Sequence, residues 1–298
     1  MIGLVVNPLA GGGLDEEKVA VIKSTIEKLS EEVCTSKTIS KLVGIEAKTL
    51  DIPARMTRED TVNLVKMLDS IVDIIIVFGG DGTMSDAASA KPSKPLLCIG
   101  IGTTNVSPVL TPADFDPKKL REVEVRSLHV TVGGEERIAF NDVVVGSTIL
   151  STVNGRRVQV DAREFMKGRK IIARPRKFRA KVEVGNRVLE GIFGNIFVAM
   201  TDRRFLGKGV AGGASLSTFL GFKAIVACIS EGIVVSTYSK EDLIELEPVV
   251  TKTLSFDDEV VRIRADEIIS CDGNPIGEGC AEIRVVDNAV KVLLPDRE

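Results

Sequence analysis

The sequence predicts two domains of different class, an α/β domain with a doubly wound parallel sheet and then a mostly antiparallel, β-sandwich-like domain. Up to about residue 124, apolar strands alternate with amphipathic helices. Residues 72–78 form a continuous apolar run, typical of a strand that is covered on both faces. After residue 124, short β-branched runs follow one another with few helical patterns. We therefore place the domains at 1–124 and 125–286, with the final segment 287–298 as a candidate to return to the first.

Local signals locate the helices of the first domain. Asp15 is expected to begin a helix, because apolar residues recur three and four apart from there as far as Val33. A second helix is predicted to begin at Thr57, where Asp60 stands three residues later as a capping-box variant. A second strand is expected between these helices, near residues 46–52.

The second domain carries a hairpin signal. Gly185-Asn186 separates two short alternating runs, 181–184 and 187–190, and such a dipeptide is a common two-residue turn. A further strand is expected at 232–237.

Composition restricts the class of protein. The 298 residues are 44% hydrophobic and 27% charged, a normal globular balance. The apolar runs are far shorter than the roughly 20 residues that cross a bilayer, and the N-terminus resembles no signal peptide, so we expect a soluble cytoplasmic protein. The five cysteines form no CxxC pair and His129 is the single histidine, which argues against zinc and against a Ser-His-Asp mechanism. His129 itself is expected to have a packing or surface role.

Three expected strand ends in the first domain are rich in glycine. They read Asn7-Pro8-Leu9-Ala10-Gly11-Gly12-Gly13, Gly79-Gly80-Asp81-Gly82-Thr83 and Gly100-Ile101-Gly102-Thr103-Thr104-Asn105. Ligands of open parallel sheets gather beyond the carboxyl ends of the strands. Backbone N–H groups without neighbouring Cβ atoms can hold phosphate oxygens there. The three loops together therefore predict a phosphate site.

Asp81 distinguishes the second loop from a simple phosphate cradle. A carboxylate beside phosphates can serve as a general base towards an acceptor hydroxyl, or it can contribute to a Mg²⁺ site. The structural alternative is that Asp81 caps a short helix near Thr83. No GxxxxGK[ST] sequence occurs, which excludes a P-loop. The stretch 207–212, which contains Lys208, formally matches GxGxxG, but no strand of the first domain leads into it, so we interpret it as a candidate loop over the substrate.

The motifs resemble those of the superfamily that joins NAD kinases with diacylglycerol and sphingosine kinases, and among them the ATP-NAD kinase-like proteins of archaea and of acetoin-catabolism operons. The strand and loop at 74–83 are similar to its GGDGT signature. The other similar segments are Asn7-Pro8 with Gly11-Gly12-Gly13, Gly102-Thr103-Thr104-Asn105, Phe140-Asn141-Asp142 and Cys271-Asp272-Gly273. The resemblance spans most of the chain and implies the same two-domain fold.

The resemblance also implies an activity, the phosphorylation of a hydroxyl by ATP or polyphosphate with Mg²⁺. Asp81 would be the catalytic base and a possible metal ligand. Asn141 and Asp142 would hold the adenosine ribose diol of the acceptor, with Asp272 and Lys208 also at the acceptor. The remaining residues of the three loops would bind the phosphates: Asn7, Pro8, Gly11, Gly12, Gly13, Gly79, Gly80, Gly82, Thr83, Gly102, Thr103, Thr104 and Asn105.

Two departures from the family pattern concern the acceptor. The family's Asn-Glu pair is Asn-Asp here, and the region 200–209 lacks the Thr-Gly-Ser-Thr-Ala-Tyr-like stretch with which NAD kinases hold the nicotinamide half. NAD is the favoured small-molecule acceptor, with a lipid, a sphingoid base or a polyol as alternatives. A non-catalytic nucleotide sensor is the alternative from another class of protein. We expect a homo-oligomer, a dimer or tetramer.

Residues 156–181 contain eleven Lys or Arg and two acidic residues. Such a block could face a polyanionic ligand or an anionic membrane surface, or it could be a solvated face or a subunit contact. Its few aromatic residues give little support to a nucleic-acid site, and we expect neither nucleic acid as a partner nor stable insertion into a membrane.

Overall fold

The structure is a computed structural model that describes residues 1–52, 55, 57–102, 105–153, 156–201, 220–230 and 251–296. The strand predicted at 232–237 lies outside these ranges, as do the site candidates Thr103, Thr104 and Lys208. The chain divides into two compact units. Unit 1 comprises Met1–Arg126 with Asp287–Glu298, and unit 2 comprises Ser127–Val286.

Unit 1 is built on a parallel sheet with the strand order β3-β2-β1-β4-β5. Its strands are β1 (Ile2–Val6), β2 (Val33–Ser36), β3 (Lys48–Leu50), β4 (Ile74–Gly79), β5 (Leu96–Gly100) and β6 (Leu110–Thr111). Its helices are α1 (Glu16–Leu29), α2 (Lys37–Val43), α3 (Arg58–Asp69) and α4 (Asp81–Ser89). The strand order reverses between β1 and β4, and in open α/β sheets such a switch point is where ligands bind.

The helix signals of the sequence are confirmed at both N-termini. The side chain of Asp15 accepts a hydrogen bond from Lys18 N at 2.9 Å, so it caps α1. At α3, Thr57 N donates to Asp60 Oδ2 at 3.3 Å, in the geometry of a capping box.

The predicted extension of the first helix to Val33 is wrong. Helix α1 ends at Leu29, because Ser30 takes a left-handed conformation (φ 50°) and its N–H closes the last turn. Val33 opens β2, a strand that the sequence analysis missed together with α2. Strand β2 has four residues, all buried, which is too short for any periodic pattern to emerge.

Unit 2 consists mainly of antiparallel strands. These are β7 (Leu120–Val132), β8 (Glu135–Ala139), β9 (Asp142–Val145), β10 (Thr148–Val153), β11 (Arg156–Asp161), β12 (Phe178–Val184), β13 (Arg187–Phe193), β14 (Asn195–Met200), β15 (Ala224–Ile229), β16 (Thr251–Phe256), β17 (Val261–Cys271) and β18 (Asn274–Pro295), with a short helix α5 (Ala162–Met166). The boundary with unit 1 falls within β7 and β18. The predicted hairpin is confirmed, since β12 and β13 pair across Gly185, which has φ 58°.

Each unit has its own hydrophobic core. In unit 1 the core includes Leu4, Ile76, Phe78 and Leu97 from adjacent parallel strands. In unit 2 it includes buried valines and isoleucines of the antiparallel strands and Phe256. The predicted fold class, an α/β parallel-sheet domain followed by a mostly antiparallel β domain, is therefore confirmed. Among the described helices, none is both long and apolar enough to cross a bilayer.

Candidate active site

The first and second glycine-rich loops meet at the switch point of the unit 1 sheet. Asn7 follows β1, Thr83 lies in the first turn of α4, and Asn7 Nδ2 donates a hydrogen bond to Thr83 Oγ1 at 2.9 Å. Gly79 makes this approach possible, because a Cβ atom there would lie 2.4 Å from Thr83 Cβ. Only glycine fits at this position while Thr83 keeps its place.

The third loop packs against the other two. A Cβ atom on Gly102 would lie 2.7 Å from Gly80 Cα, and one on Gly11 would lie 2.8 Å from the carbonyl oxygen of Ile101. Asn105 closes the third loop on itself, since its Oδ1 accepts from Gly102 N at 3.1 Å and its Nδ2 donates to Gly102 O at 2.8 Å. The structure therefore brings the described parts of all three loops together.

Asp81 is held by the third loop. It is the first residue of α4, after Gly80 at the N-cap, and only 6% of its surface is exposed. Its Oδ1 accepts hydrogen bonds from Val106 N and Ser107 N, both at 3.0 Å, and its Oδ2 lies 3.2 Å from Val106 N. Its carboxylate thus binds backbone N–H groups that lie 25 and 26 residues further along the chain, beyond the helix that Asp81 begins.

The first loop exposes backbone that a ligand can approach. Gly11, Gly12 and Gly13 have φ values of 60°, 91° and 117°, all in the region that favours glycine. A Cβ atom on Gly12 or Gly13 would meet no atom of the described residues within 4 Å. Pro8 lies in the preceding turn, in which Asn7 Oδ1 accepts from Leu9 N at 3.0 Å.

Lys18 was not recognised in the sequence, although it determines how this loop is held. Its Nζ donates to Gly13 O at 2.6 Å and to Gly11 O at 3.2 Å, and it lies 3.1 Å from Asp15 Oδ2. The signal that could have identified it is its place in the first turn of the helix that follows a glycine run.

Ser107 was also missed. It is buried, and its Oγ has no hydrogen-bond partner in the described part of the chain. Buried hydroxyls are rarely left without a partner, and those that are call for an explanation such as a ligand. Ser107 lies at the carboxylate of Asp81, which makes its hydroxyl a candidate to contact a ligand there. Nothing in the residues around Ser107 indicates this, because the contact depends on how two distant loops fold together.

A second buried acid on α4 has a structural role. Asp86 is 4% exposed and pairs with Arg58 of α3, whose Nε donates to Oδ1 at 2.9 Å and to Oδ2 at 3.2 Å. A buried carboxylate held on both oxygens by a guanidinium group joins two helices. His129 of β7 likewise lies in a side-chain pair, with its Nδ1 2.7 Å from Glu136 Oε1.

Three predicted acceptor residues of unit 2, Asn141, Asp142 and Asp272, lie in two segments that contact each other. Asn141 stands immediately before β9, which begins at Asp142, and Asp272 lies in the hairpin turn between β17 and β18. Asp272 and Gly273 both have positive φ, 46° and 80°, as a two-residue turn of this kind requires. The Asp272 carboxylate accepts hydrogen bonds from three consecutive backbone N–H groups, those of Phe140 (2.8 Å), Asn141 (2.9 Å) and Asp142 (3.1 Å).

Burial raises the pKa of Asp272 well above its ordinary value, and the negative charge of Asp142 raises it further. The three backbone N–H groups act in the opposite direction but do not cancel these effects. Asp272 is thus a positioning residue that shapes the turn carrying Asn141 and Asp142.

Asn141 has an unsatisfied acceptor. Its Oδ1 is buried and has no hydrogen-bond partner among the described residues, and the residue as a whole is 4% exposed. The next residue in the sequence, Asp142, carries a carboxylate, so the two residues offer hydrogen-bond acceptors to a ligand with hydroxyl donors.

A divalent ion at this site would be coordinated mostly by substrate phosphates and water. Across the described ranges, no three His, Cys, Asp or Glu side chains are grouped so that they could hold a metal ion. Mg²⁺ is commonly bound through one or two carboxylates together with substrate phosphates and water. Asp81, next to the glycine-rich loops, fits that pattern.

Comparisons with known proteins found a matching family model and a relative that is similar over its whole length. The model of the ATP-NAD kinase N-terminal domain matches residues 2–123. An uncharacterized protein of Archaeoglobus fulgidus is 67% identical over 297 residues, which cover 100% of this chain and 99% of that protein.

Two solved structures share the fold. One is a diacylglycerol kinase from Bacillus anthracis (TM-score 0.57, 16% identity, covering 98% of this chain and 96% of that one). The other is yeast NADH kinase complexed with NADH (TM-score 0.51, 13% identity, covering 100% of this chain and 83% of that one).

Proposed function

We propose that this chain, whose residues 2–123 match the ATP-NAD kinase N-terminal domain, is a small-molecule kinase that phosphorylates NAD to NADP with ATP or polyphosphate as the donor. The observation that carries this proposal is the meeting of three glycine-rich loops around Asp81 and Thr83 in unit 1. Backbone N–H groups at the ends of parallel strands are suited to phosphate oxygens, and one carboxylate stands among them.

In the proposed reaction, the loops of unit 1 bind the donor phosphates and Asp81 acts as the general base. Asp81 removes the proton from the acceptor hydroxyl, whose oxygen attacks the terminal phosphorus while the bond to the leaving phosphate oxygen breaks. Bound Mg²⁺ would neutralise charge on the donor's phosphate oxygens. The N–H groups of Val106 and Ser107 hold the base in one orientation, and a fixed orientation favours proton transfer.

We propose that the turn of unit 2 binds the acceptor. Asn141 Oδ1 and the Asp142 carboxylate accept hydrogen bonds from the adenosine ribose diol, and Asp272 holds the turn in shape. Lys208, outside the described residues, is proposed to contact the acceptor as well.

A diacylglycerol, a sphingoid base or a polyol is the rival acceptor. The diacylglycerol kinase and the NADH kinase named above are below 20% identical to this chain, so their substrates do not decide between NAD and a lipid here. The unsatisfied amide oxygen of Asn141 favours a ligand with hydroxyl donors, which a ribose supplies twice.

The test is a transfer assay with the purified chain, Mg²⁺, and ATP or polyphosphate, against NAD, diacylglycerol and simple polyols. We expect NADP to form. Replacing Asn141 by Ala should raise KM for NAD about tenfold, the scale of one buried hydrogen bond, with a smaller change in kcat. Asn186→Ala, in the exposed β12–β13 turn, is the matched control and should leave both constants unchanged.

Two outcomes would contradict the proposal in different ways. Phosphate transfer to diacylglycerol alone would show that the chain is a lipid kinase. Binding of NAD without transfer from either donor would make it a nucleotide-binding sensor instead of an enzyme.

A further inference from the structure

The basic block of unit 2 contains a segment without any acidic residue. Residues 166–179, called here the basic segment, read MKGRKIIARPRKFR. All seven of its cationic side chains belong to exposed residues: Lys167, Arg169, Lys170, Arg174, Arg176, Lys177 and Arg179. Three large apolar residues in the same segment are exposed as well, namely Met166 (49%), Ile171 (49%) and Ile172 (70%). Moving such apolar side chains out of water lowers the free energy.

Backbone hydrogen bonds join parts of this segment to the rest of unit 2. After α5, Gly168 N donates to Phe165 O and Arg169 N donates to Glu164 O, both at 2.9 Å. Further on, Ile172 forms an antiparallel bridge with Val160 of β11. Neighbouring residues of an extended segment face opposite sides, yet Ile171 and Ile172 are both exposed. Both faces of this part of the segment are therefore exposed, although its backbone pairs with β11.

The charges of the segment are only partly neutralised by the protein. Lys167 and Arg169 pair with Glu164, and Arg176 pairs with Asp161 and Glu267. Within the described residues, Arg174 and Arg179 form no ion pair. The segment has seven cations and no acidic residue of its own, and the three neighbouring acids with which it pairs do not balance this positive charge, which attracts a partner of dense negative charge.

We propose that the basic segment is a docking site for the surface of a membrane that contains anionic lipids. Exposed cations next to exposed aliphatic side chains are the two features that peripheral membrane binding requires, since charge brings the protein to the headgroups and the apolar side chains enter the interface. This docking is separate from the proposed kinase reaction and does not depend on it.

Two other partners fit the segment less well. Single-stranded nucleic acid binds through stacking on aromatic side chains, and the only aromatic residue of the segment, Phe178, is buried. A second copy of the chain would bring the same cations face to face, and like charges repel.

The experiment is sedimentation of the full chain with vesicles. The protein should bind vesicles that contain phosphatidylglycerol and should not bind vesicles of phosphatidylcholine alone. Raising the salt from about 0.1 M to about 0.5 M should release it, because screening weakens attraction to the headgroups. The double substitution Ile171→Ser with Ile172→Ser should lower the partition coefficient about tenfold. Arg174→Ser with Arg179→Ser should lower it by a similar factor.

Matched controls use residues of the same type elsewhere. Ile192→Ser replaces an isoleucine of β13 that is 61% exposed, and Lys37→Ser with Lys41→Ser removes two exposed cations of α2. Both should leave vesicle binding unchanged, and far-UV circular dichroism should show that all variants are folded. Equal binding to both kinds of vesicle, or equal losses in the controls, would overturn the proposal. So would full retention of binding by the double isoleucine variant, which would reduce the segment to a general polyanion site.

Discussion

Asp272 combines a structural contact with an electrostatic cost. Its carboxylate satisfies three consecutive backbone N–H groups of another turn, about 130 residues away in sequence, while burial and Asp142 disfavour its ionised form. The sequence indicated Asp272 only through resemblance to a family motif. That Asp272 holds the Asn141 turn could not be predicted, because the contact is between residues distant in sequence and depends on the pairing of β17 with β9.

The raised pKa of Asp272 predicts a specific dependence of stability on pH. Between its unfolded pKa, about 3.9, and its folded pKa, Asp272 holds its proton more tightly in the native state. Its contribution to the free energy of unfolding is therefore complete below the unfolded pKa and is lost as pH rises through the folded pKa. Urea unfolding measured from pH 4 to pH 9 should show this loss in the native protein.

Substitution of Asp272 by Asn should flatten this profile, since the group no longer titrates. The variant should also be less stable by about 1–3 kcal/mol at low pH, because its amide N–H₂ faces a backbone N–H that needs an acceptor. Asp266→Asn is the control, since that side chain is fully exposed. A profile of unchanged slope in Asp272→Asn would show that Asp272 does not govern it.

At the scale of elements, sequence patterns predicted the long helices and the buried central strand well. Asp15, Thr57 and Asp60 act within three residues of the helix starts they identify, so their signal is local. Strand β2 and helix α2 were missed because four and seven residues carry no clear period. The glycine-rich loops were found, but their mutual contacts, and the binding of Asp81 by Val106 and Ser107, arise from the packing of β4 beside β5.

Gly102 allows the second and third loops to lie against each other. Replacing it by Ala would place Cβ 2.7 Å from Gly80 Cα, and backbone cannot move aside as a flexible side chain can. We expect the unfolding free energy to fall by about 1–3 kcal/mol and KM for ATP to rise.

Gly191→Ala on β13 is the matched control for this substitution. The three atoms nearest to its new Cβ would all belong to the Phe193 ring, the closest at 3.2 Å, and that side chain can move. Equal stability and unchanged ATP binding in Gly102→Ala would show that the contact between the two loops is not needed for the site.

The reactivity of the cysteines tests the packing of both units. Cys34, Cys98, Cys228 and Cys271 are buried and Cys280 is exposed. Burial raises the pKa of the Cys98 and Cys228 thiols to about 12, so these groups have almost no thiolate at neutral pH. Titration with a disulfide reagent should detect one rapidly reacting thiol in the native protein and four more after denaturation. Rapid reaction of Cys98 or Cys228 would contradict the packing of the core that contains it.

The central claim is that Asp81, among three phosphate-binding loops, carries the chemistry. Asp81→Asn tests it directly, because an amide Oδ1 can still accept the hydrogen bonds from Val106 N and Ser107 N, both of which reach Oδ1 in the native protein. The measurement is kcat and KM for phosphate transfer by this variant and the native chain, with thermal unfolding of both as a check on folding. We expect kcat to fall at least ~100-fold with little change in KM. A kcat close to that of the native chain would contradict the account and leave Asp81 as a residue that only holds the third loop.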